Sequence, residues 1–260
     1  MNISEIKTAY RIFGWRDFCN RAMRRILEPI VSLLSYAQVG EDIIVEYLFY
    51  SVGIRLPTYL EIGTNHPKIG NNTYKFYRKG CRGVLVEADP SLIPLIKRMR
   101  PRDKTLNVGV GEQGGKSSPF FVFTQSAINT FDAKEAKIRQ DAGEKLKQVV
   151  DIPIQTINAI ISEHFKATPD FLSIDIEGLD LAVLKTLDVQ AHPIPVICVE
   201  TCLFSQTHIK DTDTEIIAFM ESIGYFVYAS TYINTIFVNR AWFNGVTHEG
   251  KTNEVCLSEG

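Results

Sequence analysis

The chain has 260 residues, 45% of them apolar and 22% charged, with a net charge of −2. That is the composition of an ordinary globular protein, long enough for one large α/β domain and an appendage but not for two full domains. So small a charge gives no reason to expect a nucleic-acid partner, which needs a concentrated basic face. The five cysteines are odd in number, scattered, and form no C-x-x-C, which argues against a disulfide framework or a zinc site and for a reducing compartment. No cleavable signal peptide is recognised, and no run approaches 18 apolar residues.

Residues 10–34 place Ile12, Phe13, Trp15, Phe18, Met23, Ile26, Leu27 and Ile30 at three- and four-residue steps opposite Arg11, Arg21, Arg24 and Arg25. This predicts a basic amphipathic helix, bent at Pro29, that either docks on a membrane surface or partner or covers the domain that follows. A second helical stretch is expected over residues 35–50. From there β and α segments alternate. Strand 58–62 leads to a helix around 73–79, strand 83–87 to helix 91–99, and strand 104–110 to a break. Gly114-Gly115 and a β-like 118–123, followed by a charged helical stretch 132–148, read as an insertion over the site. Alternation resumes with helix 156–165, strand 170–175, helix 179–187 and strand 195–200. Helix 214–223 opens on a capping box at Thr212, and strands 225–228 and 234–239 form what reads as the sole hairpin. Short parallel strands with an antiparallel strand at the end of the chain describe a doubly wound sheet.

Two of these strands carry the chemistry. Tyr59-Leu60-Glu61-Ile62-Gly63-Thr64-Asn65 ends on a carboxylate and one glycine, and Gly83-Val84-Leu85-Val86-Glu87 ends on another carboxylate 26 residues later. An acid at each strand end marks a nucleotide-binding βαβ unit, in which the second acid accepts hydrogen bonds from ribose hydroxyls. G-x-G-x-x-G is absent, so the loop suits a nucleoside without phosphates, of which S-adenosylmethionine is the commonest. The plain alternative is an α/β protein whose strands happen to end in Glu. Further polar residues follow the other strands: Asn65 and His66, Asn107 with Val108, Asp175 and Glu177, and Glu200.

Four blocks together resemble the FkbM family of S-adenosylmethionine-dependent methyltransferases. They are Ser35-Tyr36-Ala37-Gln38-Val39-Gly40-Glu41-Asp42, Glu61-Ile62-Gly63-Thr64-Asn65-His66-Pro67 with Asn72-Thr73, Gly83-Val84-Leu85-Val86-Glu87-Ala88-Asp89-Pro90, and Asp170-Phe171-Leu172-Ser173-Ile174-Asp175-Ile176-Glu177-Gly178. The resemblance spans residues 35–240, leaving 1–34 as an N-terminal segment and 241–260 as a tail. Thr64 stands where many members have alanine.

The resemblance implies a Rossmann-like class I methyltransferase domain with strand order 3-2-1-4-5-7-6, and O-methylation of a hydroxyl. On it, Glu61 and Gly63 would line the methionine end of the cofactor and Glu87 its ribose, with Asn107 and Val108 beside the adenine and Asn65 also in contact with the cofactor. Gln38 would close over the cofactor, Asn72 and Thr73 would face cofactor or acceptor, and Asp175 would serve both cofactor and catalysis. A sugar hydroxyl must lose its proton to attack a methyl group. Three devices remain open: His66 as base, a carboxylate among Asp175, Glu177 and Glu200 as base, or Mg²⁺ or Mn²⁺ held by those three acids. The expectation is a cytoplasmic enzyme, with peripheral contact at the inner membrane surface through residues 1–34, acting on a glycan or glycolipid. The rivals are methylation of a small secondary metabolite, and an inactive methyltransferase-like scaffold at a membrane.

Overall fold

A computed structural model describes residues 34–176, 178–203 and 211–246. The expected N-terminal helix, Glu177 and the end of the chain lie outside them.

Seven strands form the central sheet: β1 (Tyr59–Ile62), β2 (Gly83–Val86), β3 (Lys104–Leu106), β7 (Phe171–Ile174), β8 (Val196–Glu200), β11 (Tyr225–Ser230) and β12 (Asn234–Asn239). Their order is β11-β12-β8-β7-β1-β2-β3, which numbered within the sheet is the expected 3-2-1-4-5-7-6. β1, β2, β3, β7 and β8 pair in parallel, while β12 runs antiparallel between β8 and β11. Order reverses between β1 and β7, so the crevice for a ligand opens beyond their carboxyl ends.

Both faces are covered, which is why β1 and β7 are buried at every position. Leu60, Ile62, Leu172, Ile174, Ile197 and Val199 pack against helices α5 (Ile157–His164), α6 (Asp180–Thr186) and α7 (Thr214–Ser222). Tyr59, Leu85, Phe171, Val196 and Cys198 pack against α1 (Glu41–Ser51), α2 (Tyr74–Lys79) and α3 (Ile93–Met99).

Several boundaries differ from the sequence reading. The first described helix starts at Glu41, because the carboxylates of Asp42 and Glu41 reach back to the N–H groups of Tyr36 and Val39 and hold residues 37–40 as bends. Gln38 therefore precedes the helix instead of lying in it. The expected strand 104–110 breaks at Asn107, whose amide donates to the carbonyls of Glu87 and Ala88. Beyond it, β4 (Gly109–Val110) leaves the main sheet to pair with β6 (Leu146–Gln155).

The insertion contains α4 (Ala133–Asp141), capped by Asp132, between β5 (Ser117–Phe123) and β6. Residues 146–148 are strand, and β5 with β6, like the short β9 (Cys202–Leu203) with β10 (Asp211–Thr212), is an antiparallel pair that the sequence reading missed. Asp213, one residue after Thr212, caps α7 by accepting from the N–H groups of Glu215 and Ile216. Residues 240–246 are helical, and Trp242 and Phe243 pack on the core, so the expected tail begins inside the folded body.

Candidate active site

At the switch point the ends of β1 and β7 meet so closely that only glycine fits. Gly63 has φ +83°, and a Cβ there would stand 1.8 Å from the carbonyl oxygen of Asp175. Above this junction lies a cavity of about 440 Å³, within the usual range for a small-molecule site.

The cavity has a mostly apolar end and a polar end. Ala88, Val108, Val110, Phe120, Ile128 and Phe131 form the first. Half of these come from the insertion, which is tied down by Asn129, donating to Asp89 at 3.0 Å, and by Ser126, donating to Asn65 at 2.8 Å. Asn65, with φ +46°, turns its N–H onto Glu87 Oε2 at 2.7 Å while Asp89 N donates to Oε1 at 2.7 Å. The Glu87 carboxylate keeps lone-pair capacity for a ligand hydroxyl. Burial pushes this carboxyl up to about 7, against the backbone hydrogen bonds that lower it.

Asp175 and Glu200 line the polar end with Gln38, Gly63 and Asn65. Burial raises the Asp175 carboxyl above the usual carboxylate range, and a side-chain hydrogen bond with Glu200 opposes that rise. A hydrogen bond between two carboxyl groups is made only when one of them is protonated. Asp180 backs it, accepting from the N–H groups of Ile176 and Gly178, and is raised to about 6 by burial and by Asp175. Gln38 is held by Asn234, which also donates to the buried Glu41.

Other expected residues are turned elsewhere. Glu61 is inside β1, and strand alternation points its side chain under the cleft toward the α1–α3 layer. There Thr73 donates to it at 2.6 Å, and Arg100 stands 4.0 Å away. Burial raises Glu61 to about 7, with Arg100 opposing.

Arg100 is fully buried and uses all five of its N–H groups, on Asp103, Pro67 O, Asn71, Tyr59 OH and Thr73 Oγ1. Glu61 and Thr73 are thus a buried brace for the loop that carries Gly63 and Asn65, and neither lines the cavity. Asn72 is also buried, donating to Ser173 Oγ at 3.0 Å, with its own Oδ1 unpartnered. Asn107 spends its amide on the β2 turn, although Val108 beside it does line the cavity. His66 stands off the cavity wall, its Nδ1 accepting from the N–H groups of Lys68 and Ile69.

Among the described residues no group of three or more His, Cys, Asp or Glu is arranged to hold a metal ion; Glu177, one of the three expected ligands, is outside them.

The sequence reading did not name the insertion residues Ser126, Asn129 and Phe131, or Asp180 and Arg100. Asp180 left a signal, since an acid at the first position of a helix two residues past Gly178 is placed to accept from the N–H groups of the turn before it.

Comparisons bear on this arrangement at two levels. The family model of the FkbM methyltransferase domain matches residues 61–227, from β1 into β11. No curated protein is significantly similar in sequence. Among solved structures, a TehB-like SAM-dependent methyltransferase from Corynebacterium glutamicum shares 12% identity, covers 85% of this chain and 96% of its own, and has a TM-score of 0.42. An O-methyltransferase from Bacillus cereus in complex with SAH shares 12% identity, covers 90% and 96%, and has a TM-score of 0.39. A 1,6-didemethyltoxoflavin-N1-methyltransferase from Burkholderia thailandensis, with S-adenosylhomocysteine bound, shares 11%, covers 77% of both chains, and has a TM-score of 0.39. At TM-scores below 0.5 these likenesses carry no argument about this chain. The family match spans well over half of the sequence and falls on the strands that build the cleft: the chain belongs to the FkbM methyltransferase family.

Proposed function

We propose that the cleft binds S-adenosylmethionine and that the chain methylates a sugar hydroxyl of a glycan or glycolipid. The observation that carries this reading is one cavity with Glu87 at its wall, an apolar pocket on one side and a carboxyl pair that needs a proton on the other. The donor set fits the cofactor. Glu87 would accept the two ribose hydroxyls, Ala88, Val108, Val110 and Phe131 would bury the adenine, and Gly63, Asn65 and Gln38 would meet the methionine portion. When bound, S-adenosylmethionine supplies a methyl group activated on a sulfonium.

The chain's own contribution is to orient the acceptor and take its proton. In the Asp175–Glu200 pair one proton is held between two acids, so the pair can accept the hydroxyl proton and release it to water afterwards. This favours the carboxylate reading over His66, whose Nδ1 is occupied by its own loop. A divalent ion on Asp175 and Glu200, with Glu177 as the third ligand, is the competing device.

Calorimetry with S-adenosylhomocysteine tests the cofactor, and methyl transfer to glycan fractions of the source organism tests the acceptor. Asp175→Asn and Glu200→Gln should each lower kcat by roughly 10²–10⁴-fold, the usual share of general base catalysis, while the cofactor still binds. Activity that persists in excess EDTA favours the bare carboxyl pair; loss restored by Mg²⁺ or Mn²⁺ favours the metal. The proposed setting is the cytoplasm, with membrane contact through residues 1–34. No helix among the described residues is long and apolar enough to cross a membrane.

A further inference from the structure

The edge of the sheet opposite the cavity has a charge that the chain as a whole does not. Residues 50–104 carry eleven Lys and Arg against four Asp and Glu, in a chain whose net charge is −2. None of these four acids is exposed. Glu61, Glu87 and Asp89 are buried, and Asp103 turns inward, accepting from Arg100 Nε at 2.7 Å, Gly83 N and Tyr59 OH.

The exposed cations stand where helices hand the chain back to strands. Arg55 precedes β1, Arg82 precedes β2 and Arg102 precedes β3, while Arg78 lies in the last turn of α2, and Lys97 and Arg98 in that of α3. β1, β2 and β3 are parallel neighbours, so these loops lie side by side at the amino edge of the sheet, whereas the cavity opens at the carboxyl edge. Lys104 Nζ marks the border of the patch, against His164 Nδ1 at 3.0 Å. Among the described residues Arg78, Arg82, Lys97 and Arg98 make no ion pair. Helix dipoles account for cations in a last turn, but not for Arg55, Arg82 and Arg102 in the loops or for the lack of an exposed acid. Like charges held this close repel one another, and a surface of opposite charge removes that cost.

Two exposed side chains among the cations say which surface. Leu56, in the loop before β1, is 63% exposed, and Tyr50, at the end of α1, is 62% exposed. Arg55 lies over the Tyr50 ring at 3.8 Å, so that face is not open to stack on a base, as single-stranded nucleic acid would require. An apolar tip and a tyrosine ringed by cations suit the interface of an anionic bilayer, where the tip enters among the headgroups and the cations meet the lipid phosphates.

We propose that this amino edge docks the domain on an anionic membrane surface, with Leu56 and Tyr50 among the headgroups and the cavity mouth turned to solution. The docking edge is built by residues 50–104 and does not depend on how the cleft is used.

The test is flotation of the full chain with vesicles of phosphatidylcholine alone or mixed equally with phosphatidylglycerol. Wild type should float with the anionic vesicles only, and salt at about 0.5 M should release it. Arg82→Glu/Arg98→Glu should lower vesicle affinity roughly tenfold or more, and Arg82→Ala/Arg98→Ala should lower it less; the alanine pair keeps the test decisive if charge reversal disturbs the fold. Leu56→Ser should weaken binding and leave its salt dependence in place. Lys134→Glu/Lys147→Glu, an equal change of charge at exposed positions of the insertion, should leave binding nearly unchanged. Wild type that ignores anionic vesicles or binds neutral ones as well, or an equal loss in the insertion variant, would overturn the docking edge. So would binding that survives Arg82→Glu/Arg98→Glu and is lost in Arg21→Glu/Arg24→Glu, which would move the contact to the N-terminal segment. Tighter binding of duplex DNA or single-stranded RNA than of anionic vesicles at the same salt would overturn it in favour of a nucleic acid.

Discussion

Glu61 and Glu87 sit near the carboxyl ends of neighbouring parallel strands, are 4% and 6% exposed, and are both pushed up to about 7 by burial, yet their surroundings differ. Glu61 is the third residue of the four-residue β1, where the ladder still dictates which way a side chain points, and its partners are the side chains of Thr73 and Arg100. Glu87 comes one residue after β2 ends, where the chain is free to turn, and its partners are the backbone N–H groups of Asn65 and Asp89. One acid braces the loop from beneath, and the other forms part of the cavity wall. The position of an acid relative to the last ladder residue therefore separates a brace under the cavity from a group in its wall.

The sharpest way to break that comparison is Glu61→Ala. It removes an anion from beside a fully buried guanidinium and leaves Thr73 without its acceptor. Breaking a buried charge pair from one side costs about 3–5 kcal/mol. Urea denaturation should show a loss of that order. A variant that keeps wild-type stability and loses only cofactor affinity would move Glu61 into the binding site and erase the distinction.

Glu87→Ala should give the opposite pattern with a smaller effect. Losing hydrogen bonds to a charged group should weaken S-adenosylhomocysteine binding by about 1.5–3 kcal/mol, read by calorimetry. The midpoint of unfolding should change far less than in Glu61→Ala. An unchanged dissociation constant in the folded variant would take Glu87 out of the site.

The same contrast explains what could be read from the chain. Parallel, doubly covered strands leave continuous apolar runs, and Phe171–Ile174 and Val196–Glu200 are unambiguous for that reason. The switch-point acids Asp175 and Glu200 followed directly, because the carboxyl edge of such a sheet is where ligands bind. β6 was not legible. Leu146–Gln155 mixes apolar residues with Lys147, Gln148 and Asp151 and contains Pro153, and only Ile152 is buried, so no burial period marks it as a strand. The orientation of Glu61 was hidden for a different reason. A motif fixes which residue stands at the strand end, but only the register of the ladder fixes which face the side chain takes. His66 and Asn107 were read as chemical groups, whereas both spend their polar atoms on neighbouring backbone, a local competition that residue type alone does not reveal.

The smallest of the expected effects separates the two acids by pH. Both carboxyls rise from 4.5 to about 7 on folding. Their contribution to stability is therefore fully present below pH 4.5 and is lost as pH rises through 7. In the free protein they act alike, so Glu61→Gln and Glu87→Gln should each flatten the decline in melting temperature between pH 5 and pH 8. Ligand binding should tell them apart. Ribose hydroxyls donate best to an ionised carboxylate, so S-adenosylhomocysteine binding draws Glu87 toward its charged form and must weaken where protonation competes. Between pH 8 and pH 6 the dissociation constant should rise roughly tenfold, the equivalent of about 1.4 kcal/mol. Glu87→Gln should bind more weakly at pH 8 and show little of that dependence, while Glu61→Gln should keep it, because its acid touches the loop and not the ligand. Calorimetry at three pH values on the three proteins decides the matter. If the pH dependence disappears with Glu61→Gln and survives Glu87→Gln, the two acids have been assigned the wrong way round.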